Sequence, residues 1–166
     1  MSAGDPPQPD PKSTGPSEPL PEMYRQLADR MAGGTPQSQA LGMQFVSVSH
    51  GRGSMAVPWR EDLVGDPDTQ VIAGGVVTSL LDHTCGLAIS SAAASGGGMF
   101  GTATLDLRID YMRPARPRAG ITAEAHCYKL TRTIGFVRAE AWDEDRADPI
   151  ATAQAAFALT GPRPAA

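Results

Sequence analysis

A long and mostly apolar segment, residues 72–89, constrains the fold more than any other part of the chain. It opens with Gly74 and Gly75, and its apolar residues recur at spacings of three and four, which is the period of an α-helix. Little of any helical face is strongly polar, so this helix has to lie inside a protein. Its middle is too polar for a membrane span, because it holds Thr78, Ser79, Asp82, His83 and Thr84. The segment therefore predicts a buried helix packed against a sheet.

Stretches of alternating polarity on both sides of this helix predict the strands of that sheet. Before the helix, residues 43–49 and 54–58 alternate around a glycine-containing turn, as is typical of a β-hairpin. Short polar turns after the helix favour antiparallel neighbours, and we expect a meander there. Its four strands are predicted at 101–112, 121–130, 134–142 and 150–159. This order of elements indicates an α+β fold, with one helix against one face of an antiparallel sheet.

The run 101–112 alternates most regularly. Its polar residues include Thr104, and its apolar residues are Ala103, Leu105, Leu107, Ile109 and Tyr111. The pattern predicts that the apolar residues face the core and the polar ones face solvent. Pro114 ends the run, because proline cannot donate to the hydrogen-bond ladder of a sheet.

The N-terminal segment differs in composition from the rest of the chain. Residues 1–20 are rich in proline and poor in large apolar residues, so they cannot bury enough surface to offset the entropy of ordering. We expect a disordered tail there and a single domain over residues 21–166. Residues 21–34 predict a short amphipathic helix, with one apolar stripe formed by Met23, Leu27 and Met31.

Charge and cysteine content exclude several classes of function. The net charge is -4 and the 14 Lys and Arg residues are scattered, so no surface for nucleic acid is predicted. Cys85 and Cys127 form no CxxC motif, which argues against a disulfide framework and a metal site. Nothing in the sequence calls for a cofactor. With no secretory signal and no membrane span, a cytoplasmic protein is expected.

Three features together resemble the hotdog-fold acyl-CoA thioesterases of the phenylacetate-pathway (PaaI-type) group. They are the Gly74-Gly75 pair, Asp82 eight residues after Gly74, and a strand that ends in Ile109-Asp110-Tyr111-Met112-Arg113-Pro114. The resemblance covers residues 40–160. It implies a hotdog fold, an acyl-CoA substrate, and a homodimer or a dimer of dimers.

Two positions depart from the pattern of that group. The group usually has a histidine directly before the two glycines, where this chain has Ala73. It often has Asn or Gln in the preceding loop, where this chain has Asp66. The resemblance implies that both positions contact the substrate. The two departures would therefore affect how the thioester carbonyl is positioned, and they leave the carboxylate of Asp82 unchanged.

Thioester hydrolysis needs one group that polarises the carbonyl and one that activates water or attacks directly. Backbone N–H groups at a helix N-terminus do the first, and Gly74 and Gly75 let a substrate approach them. An aspartate such as Asp82 can do the second, either as a general base or as a nucleophile. Asp82 lies roughly 12 Å along the helix from Gly74, too far for both to act on one carbon. We therefore expect Asp82 to act opposite the glycines of another subunit.

Other residues of the helix have simpler interpretations. Asp82 itself could be a structural aspartate bonded to Thr78 or to a backbone donor. His83 points about 100° away from Asp82 around the helix, which does not favour a dyad. Ser79 lacks the GxSxG pattern of a serine hydrolase, and Cys85 suits a small core residue better than a nucleophile.

The remaining alternatives concern substrate binding and the class of function. Arg113 and Arg116 could hold the phosphates of CoA at the sheet edge, or they could form a solvated strand end. A non-catalytic hotdog protein that binds acyl groups is the main rival to an enzyme. Asp82 argues against it, because an apolar acyl pocket gains nothing from a buried carboxylate. A dehydratase would need a histidine converging with an acid, and the sequence offers no well-placed histidine.

Overall fold

A computed structural model describes residues 34–94 and 101–160 and, before them, residues 22, 24, 26 and 27. The tail predicted for residues 1–20 lies outside the described residues. Residues 22, 24, 26 and 27 are helical, as predicted, and Leu27 is buried in the core. Met23 and Met31, the other two members of the predicted stripe, also lie outside the described residues.

The described elements follow the predicted order. Helix α1 covers Pro36–Leu41 and the long helix α2 covers Gly74–Ala93. The strands are β1 Gln44–Ser49, β2 Arg52–Val57, β3 Val64–Asp66, β4 Val71–Ile72, β5 Gly101–Tyr111, β6 Ile121–Leu130, β7 Ile134–Trp142 and β8 Ala151–Thr160. Strands β3 and β4 form a small antiparallel ribbon just before α2. Among the described residues, no helix combines the length and apolar character needed to cross a membrane.

Six of these strands form one antiparallel sheet in the order β1-β2-β6-β7-β8-β5. The hairpin of β1 and β2 and the meander of β6, β7 and β8 are therefore confirmed. The prediction that β5 begins this meander is wrong, because β5 pairs with β8 and β2 pairs with β6. Residues 112–120, which include two prolines, are long enough to carry the chain from one side of the sheet to the other. Strand β5 thus lies at the edge of the sheet.

Helix α2 lies against one face of this sheet, as predicted. Its residues from Leu80 onward are buried, apart from the half-buried Asp82 and His83. Glycines on two strands let the backbone approach the helix closely. A Cβ atom at Gly53 would lie 2.7 Å from Leu87, and one at Gly135 would lie 2.9 Å from Ile89. The core is therefore the layer between α2 and the sheet.

A β-bulge in β5 changes which of its residues face α2. The ladder with β8 shifts register between Thr104 and Asp106, so Leu105 is an extra residue. A bulge reverses the face on which the preceding residues point. Leu107 and Ile109 pack on the core as predicted, whereas Leu105 is 59% exposed and Thr104 contacts the helix. The predicted inward orientation of Ala103 and Leu105 is wrong for this reason, since a regular alternation gives no sign of a bulge.

Candidate functional site

The N-terminus of α2 is open on one side. Ala73 occupies the N-cap position and makes no side-chain capping bond, and the first N–H groups of a helix have no partner within it. A methyl group on Gly75 would meet no described atom within 4 Å, whereas one on Gly74 would lie 3.5 Å from the Tyr111 hydroxyl oxygen. The helix start, which carries partial positive charge, is therefore accessible over Gly75 and covered by Tyr111 over Gly74.

Asp82 lies two turns further along α2 with its carboxylate oriented by the sheet. The Thr104 hydroxyl donates a hydrogen bond of 2.8 Å to Oδ1 of Asp82. No described residue donates to the other oxygen, Oδ2, which leaves that oxygen able to accept from water. The bond to Thr78 that a structural role suggested is not formed, because the Thr78 hydroxyl instead lies 3.2 Å from the Gly74 carbonyl and 2.8 Å from the Tyr111 hydroxyl.

Strand β5 contacts α2 at both of these places. Tyr111 donates its hydroxyl hydrogen to the Gly74 carbonyl at 2.7 Å, and Thr104 donates to Asp82. The start of α2 and the carboxylate are thus attached near opposite ends of one strand. Within one chain, Gly75 and Asp82 do not meet, in line with the separation expected from the helical rise.

Sequence reasoning did not assign a role to either Thr104 or Tyr111. Thr104 belonged to the polar face that the alternation assigned to solvent, and only the bulge brings it to the helix. Tyr111 was part of the motif at the strand end, but nothing in a linear motif indicates a contact 37 residues back in the chain.

Asp66 and Ala73 lie in neighbouring elements before α2. The ribbon of β3 and β4 is attached to the helix start, since Gly65 packs against Ala73 and the Ala73 N–H donates to the Leu63 carbonyl at 2.9 Å. Asp66 is exposed at the end of β3, and its Oδ1 accepts the N–H of Asp68 at 3.0 Å. Its carboxylate therefore stabilises the turn of the ribbon, and the structure shows no contact between it and Gly75.

Arg113 is held in an ion pair. Its guanidinium forms two bonds with the Asp143 carboxylate, at 2.8 and 2.9 Å, and also donates to the Pro114 and Asp148 carbonyls. Its Nε lies 2.8 Å from the Asp148 carboxylate. The Asp143 side chain is 0% exposed, and the bonds from Arg113 hold the pKa of Asp143 well below its ordinary value, against the opposing effect of burial. Both terminal nitrogens of this guanidinium are therefore hydrogen-bonded, while its Nε is close to Asp148 without a hydrogen bond.

Arg116 has a different environment from Arg113. Its side chain is 59% exposed and makes one ion pair of 3.0 Å with Glu144, which is also exposed. Its backbone N–H bonds Asp143. The structure thus separates the two arginines: Arg113 ties the segment after β5 to the turn between β7 and β8, and Arg116 is free to reorient toward a ligand.

The other candidate nucleophiles and bases of α2 are not placed for chemistry. Cys85 is fully buried, and burial raises the pKa of its thiol, so it stays protonated. The Ser79 hydroxyl donates to the Gly75 carbonyl at 3.0 Å. Burial lowers the pKa of His83, and no described residue bonds its enclosed Nε2. Nowhere in the described ranges do three His, Cys, Asp or Glu side chains converge as metal ligands.

Comparison with protein families and curated proteins gives two matches. Residues 69–150, which include Asp82 and both glycines, match the family model of the thioesterase superfamily. A Halobacterium salinarum protein with a provisional esterase name is 31% identical over 96 residues, which are 57% of this chain and 62% of that protein. The chain therefore spans less than two thirds of the length of this relative.

Solved structures share the architecture over most of their length. A Pseudomonas aeruginosa protein is 31% identical, with a TM-score of 0.73 over 81% of this chain and 98% of that chain. The PaaI protein from the phenylacetic acid degradation operon of E. coli is 19% identical, with a TM-score of 0.74 over 87% and 99% of the two chains. At that identity the likeness to PaaI concerns the fold, and it confirms the predicted arrangement of one helix wrapped by an antiparallel sheet.

Proposed function

Because the chain carries a thioesterase superfamily domain with the hotdog fold, we propose that it hydrolyses acyl-CoA thioesters as a member of the PaaI-type group. In this proposal Asp82 of one subunit acts opposite the Gly74-Gly75 helix start of another. The observation that carries it is the Asp82 carboxylate, which Thr104 holds by one oxygen at 2.8 Å while its other oxygen has no donor among the described residues. A carboxylate presented in this way can accept a proton from water.

The reaction follows from the two halves of the site. The carbonyl oxygen of the thioester accepts a hydrogen bond from the Gly75 N–H. The partial positive charge at the helix N-terminus stabilises the negative charge that develops on this oxygen. Asp82 removes a proton from a water molecule while the oxygen of that water bonds to the carbonyl carbon. The C–S bond then breaks, the CoA sulfur takes the proton from Asp82, and the free acid leaves. If Asp82 attacks directly instead, an acyl anhydride forms first and water hydrolyses it to the same products.

A second copy of the chain would bring the two halves together. The outer edge of β5 has no strand partner in the described chain, and such an edge is a ready template for pairing. Antiparallel pairing of two β5 strands about a two-fold axis would bring the Thr104 end of one strand next to the Tyr111 end of the other. The Asp82 of each copy would then lie beside the Gly75 of its partner. A homodimer with two equal sites is the assembly that this arrangement requires.

A methyl group at Gly75 tests whether the substrate approaches the helix start there. Gly75→Ala places the methyl where no described atom lies within 4 Å, so the fold should be unaffected, and alanine favours a helix over glycine by roughly 0.5–1 kcal/mol. The methyl should nevertheless obstruct a thioester carbonyl, and we expect kcat/KM to fall at least about tenfold. In Gly74→Ala, the methyl instead makes ordinary contact with Tyr111 on the side away from this approach, so its loss of activity should be smaller than that of Gly75→Ala. Equal activity of all three proteins would place the reaction elsewhere.

A mixing experiment tests whether each site uses two subunits. As homodimers, Gly75→Ala is expected to keep at most about a tenth of the parental activity and Asp82→Asn at most about a hundredth. In a heterodimer of the two, one site carries both defects and the other is intact, so a fully exchanged equimolar mixture should recover roughly a quarter of the parental activity. If both groups belonged to one chain, every site would carry a defect and the mixture would show no more activity than the average of the two homodimers. The measurement is release of CoA after subunit exchange, with exchange verified independently.

The non-catalytic acyl-binding protein has one observation in its favour. Ala73 at the N-cap makes no side-chain bond, so the helix start offers a substrate only backbone donors. A panel of acyl-CoAs in a free-thiol assay separates the two functions. Binding without thiol release for every acyl chain would favour the binding protein.

A further inference from the structure

Tyr111 contacts the peptide unit between Gly74 and Gly75, whose N–H we propose as the donor to the thioester carbonyl. Its hydroxyl donates to the Gly74 carbonyl at 2.7 Å and lies 2.8 Å from the Thr78 hydroxyl. The Gly74 carbonyl and the Gly75 N–H belong to the same planar peptide unit. Any group that fixes this carbonyl therefore fixes the direction of the Gly75 N–H.

From this geometry we infer that Tyr111 is a positioning residue for the thioester carbonyl. The inference rests on the proposed function, because it assigns the Gly75 N–H as the donor. Tyr111 acts through the peptide and need not touch the substrate.

Two physical effects support this role. The first turn of α2 combines two glycines with an N-cap that makes no side-chain bond, and helix ends of this kind fray. The bond from Tyr111 opposes that fraying at the peptide where direction matters. A hydrogen bond to a carbonyl also polarises its peptide group, which strengthens the N–H as a donor. A well-directed and stronger donor matters more as negative charge develops on the substrate oxygen, so both effects favour the transition state over ground-state binding.

The position of the ring adds a steric effect. Its hydroxyl oxygen and two ring carbons lie within 4 Å of where a Gly74 side chain would begin, while the space over Gly75 is open among the described residues. The ring therefore directs a ligand to the Gly75 side of the helix start. Tyr111→Phe separates the two effects, because it keeps the ring and removes only the hydroxyl.

The test compares Tyr111→Phe with Tyr128→Phe in the full-length protein. Tyr128 is also partly exposed, at 47%, and lies on β6 with its ring packed beside Phe136. Tyr128→Phe therefore removes the same hydroxyl oxygen, but at a position on the sheet instead of at the start of α2. For Tyr111→Phe we expect kcat to fall about tenfold, the effect of one lost hydrogen bond on the transition state, with KM changed less than about twofold. Tyr128→Phe should match the parent in both constants.

An amide measurement keeps this inference separate from the proposed function. In Tyr111→Phe, NMR should show a shifted Gly75 amide resonance and faster hydrogen exchange at that amide, and in Tyr128→Phe it should show neither. If the parent hydrolyses acyl-CoA and Tyr111→Phe keeps the parental kcat, the inference about Tyr111 is wrong and the thioesterase proposal stands. If kcat falls but the Gly75 amide is unchanged, Tyr111 acts in another way and the inference also fails. If no acyl-CoA is hydrolysed by the parent, the proposed function fails, and the amide result alone decides whether Tyr111 orients the peptide.

Discussion

Substitution of Asp82 by asparagine should lower the turnover of acyl-CoA at least ~100-fold, the low end of what a positioned general base contributes. Asparagine keeps the shape of the side chain, and its amide oxygen can still accept the bond that Thr104 donates to Oδ1. It loses the oxygen that accepts a proton from water or attacks the carbonyl. Substrate binding should persist, because the carboxylate contributes to the chemical step. Steady-state kinetics and a separate binding titration measure the two effects.

Stability provides the second part of this test. Asp82 is half-buried with one hydrogen-bond donor, Thr104, and a partly buried carboxylate costs stability that a neutral amide does not. We therefore expect Asp82→Asn to melt at the parental temperature or above it, which is the pattern of a functional residue. The control is Asp62→Asn, which removes an exposed carboxylate paired with Arg60 and should leave turnover unchanged. Parental turnover in Asp82→Asn would refute the mechanism, and loss of folding would make Asp82 structural and favour the acyl-binding protein.

The sequence predicted the parts of this molecule that depend on local patterns. The spacing of apolar residues identified α2, the glycine-containing turn identified the hairpin of β1 and β2, and short polar turns identified the antiparallel run from β6 to β8. In each case the signal lies within one element or between two consecutive ones. The prediction for the glycine pair and Asp82 also came from residues of one helix, together with the resemblance to PaaI-type thioesterases, and it remains a prediction.

Relations between distant parts of the chain could not be predicted in this way. Strand β5 could have paired with β6, the next strand along the chain. Strand β2, which precedes β6 by almost 70 residues, pairs with β6 instead, and β5 therefore lies elsewhere in the sheet. The bulge at Leu105 leaves no trace in an alternating sequence, yet it decides that Thr104 meets Asp82. The role of Arg113 depends on a carboxylate 30 residues further along the chain. The groups that orient the candidate site were therefore visible only after the chain had folded.

The structure changes the expectation for Arg113 from substrate binding to stability. Arg113→Leu removes every donor to Asp143 from this side chain and leaves a carboxylate that is 0% exposed without its charge partner. Breaking a buried pair from one side is strongly destabilising, and we expect the melting temperature to fall by roughly 5–10 °C. Thermal unfolding followed by circular dichroism measures this directly.

Arg116→Leu is the matched control, since it removes the same side chain three residues later. Its pair with Glu144 is exposed on both sides, and exposed pairs contribute little, so the melting temperature should change by less than about 2 °C. If either arginine binds the phosphates of CoA, Arg116 has the freedom to do so. A stable Arg113→Leu protein whose KM rises for CoA thioesters, but not for thioesters that lack the nucleotide, would restore the phosphate-binding role of Arg113.

The destabilisation caused by Arg113→Leu should also depend on pH in a defined direction. Arg113 holds the pKa of Asp143 below the ordinary value of the free side chain, which is about 3.9. A carboxyl group with a lowered pKa in the folded state contributes its full stability above the unfolded pKa and loses it as pH falls toward the folded value. The gap in melting temperature between the parent and Arg113→Leu should therefore be widest near neutral pH and should narrow below about pH 4. A gap that stayed constant across this range would mean that Arg113 stabilises the turn through its packing and its carbonyl bonds, and that the charge of Asp143 has no part in it.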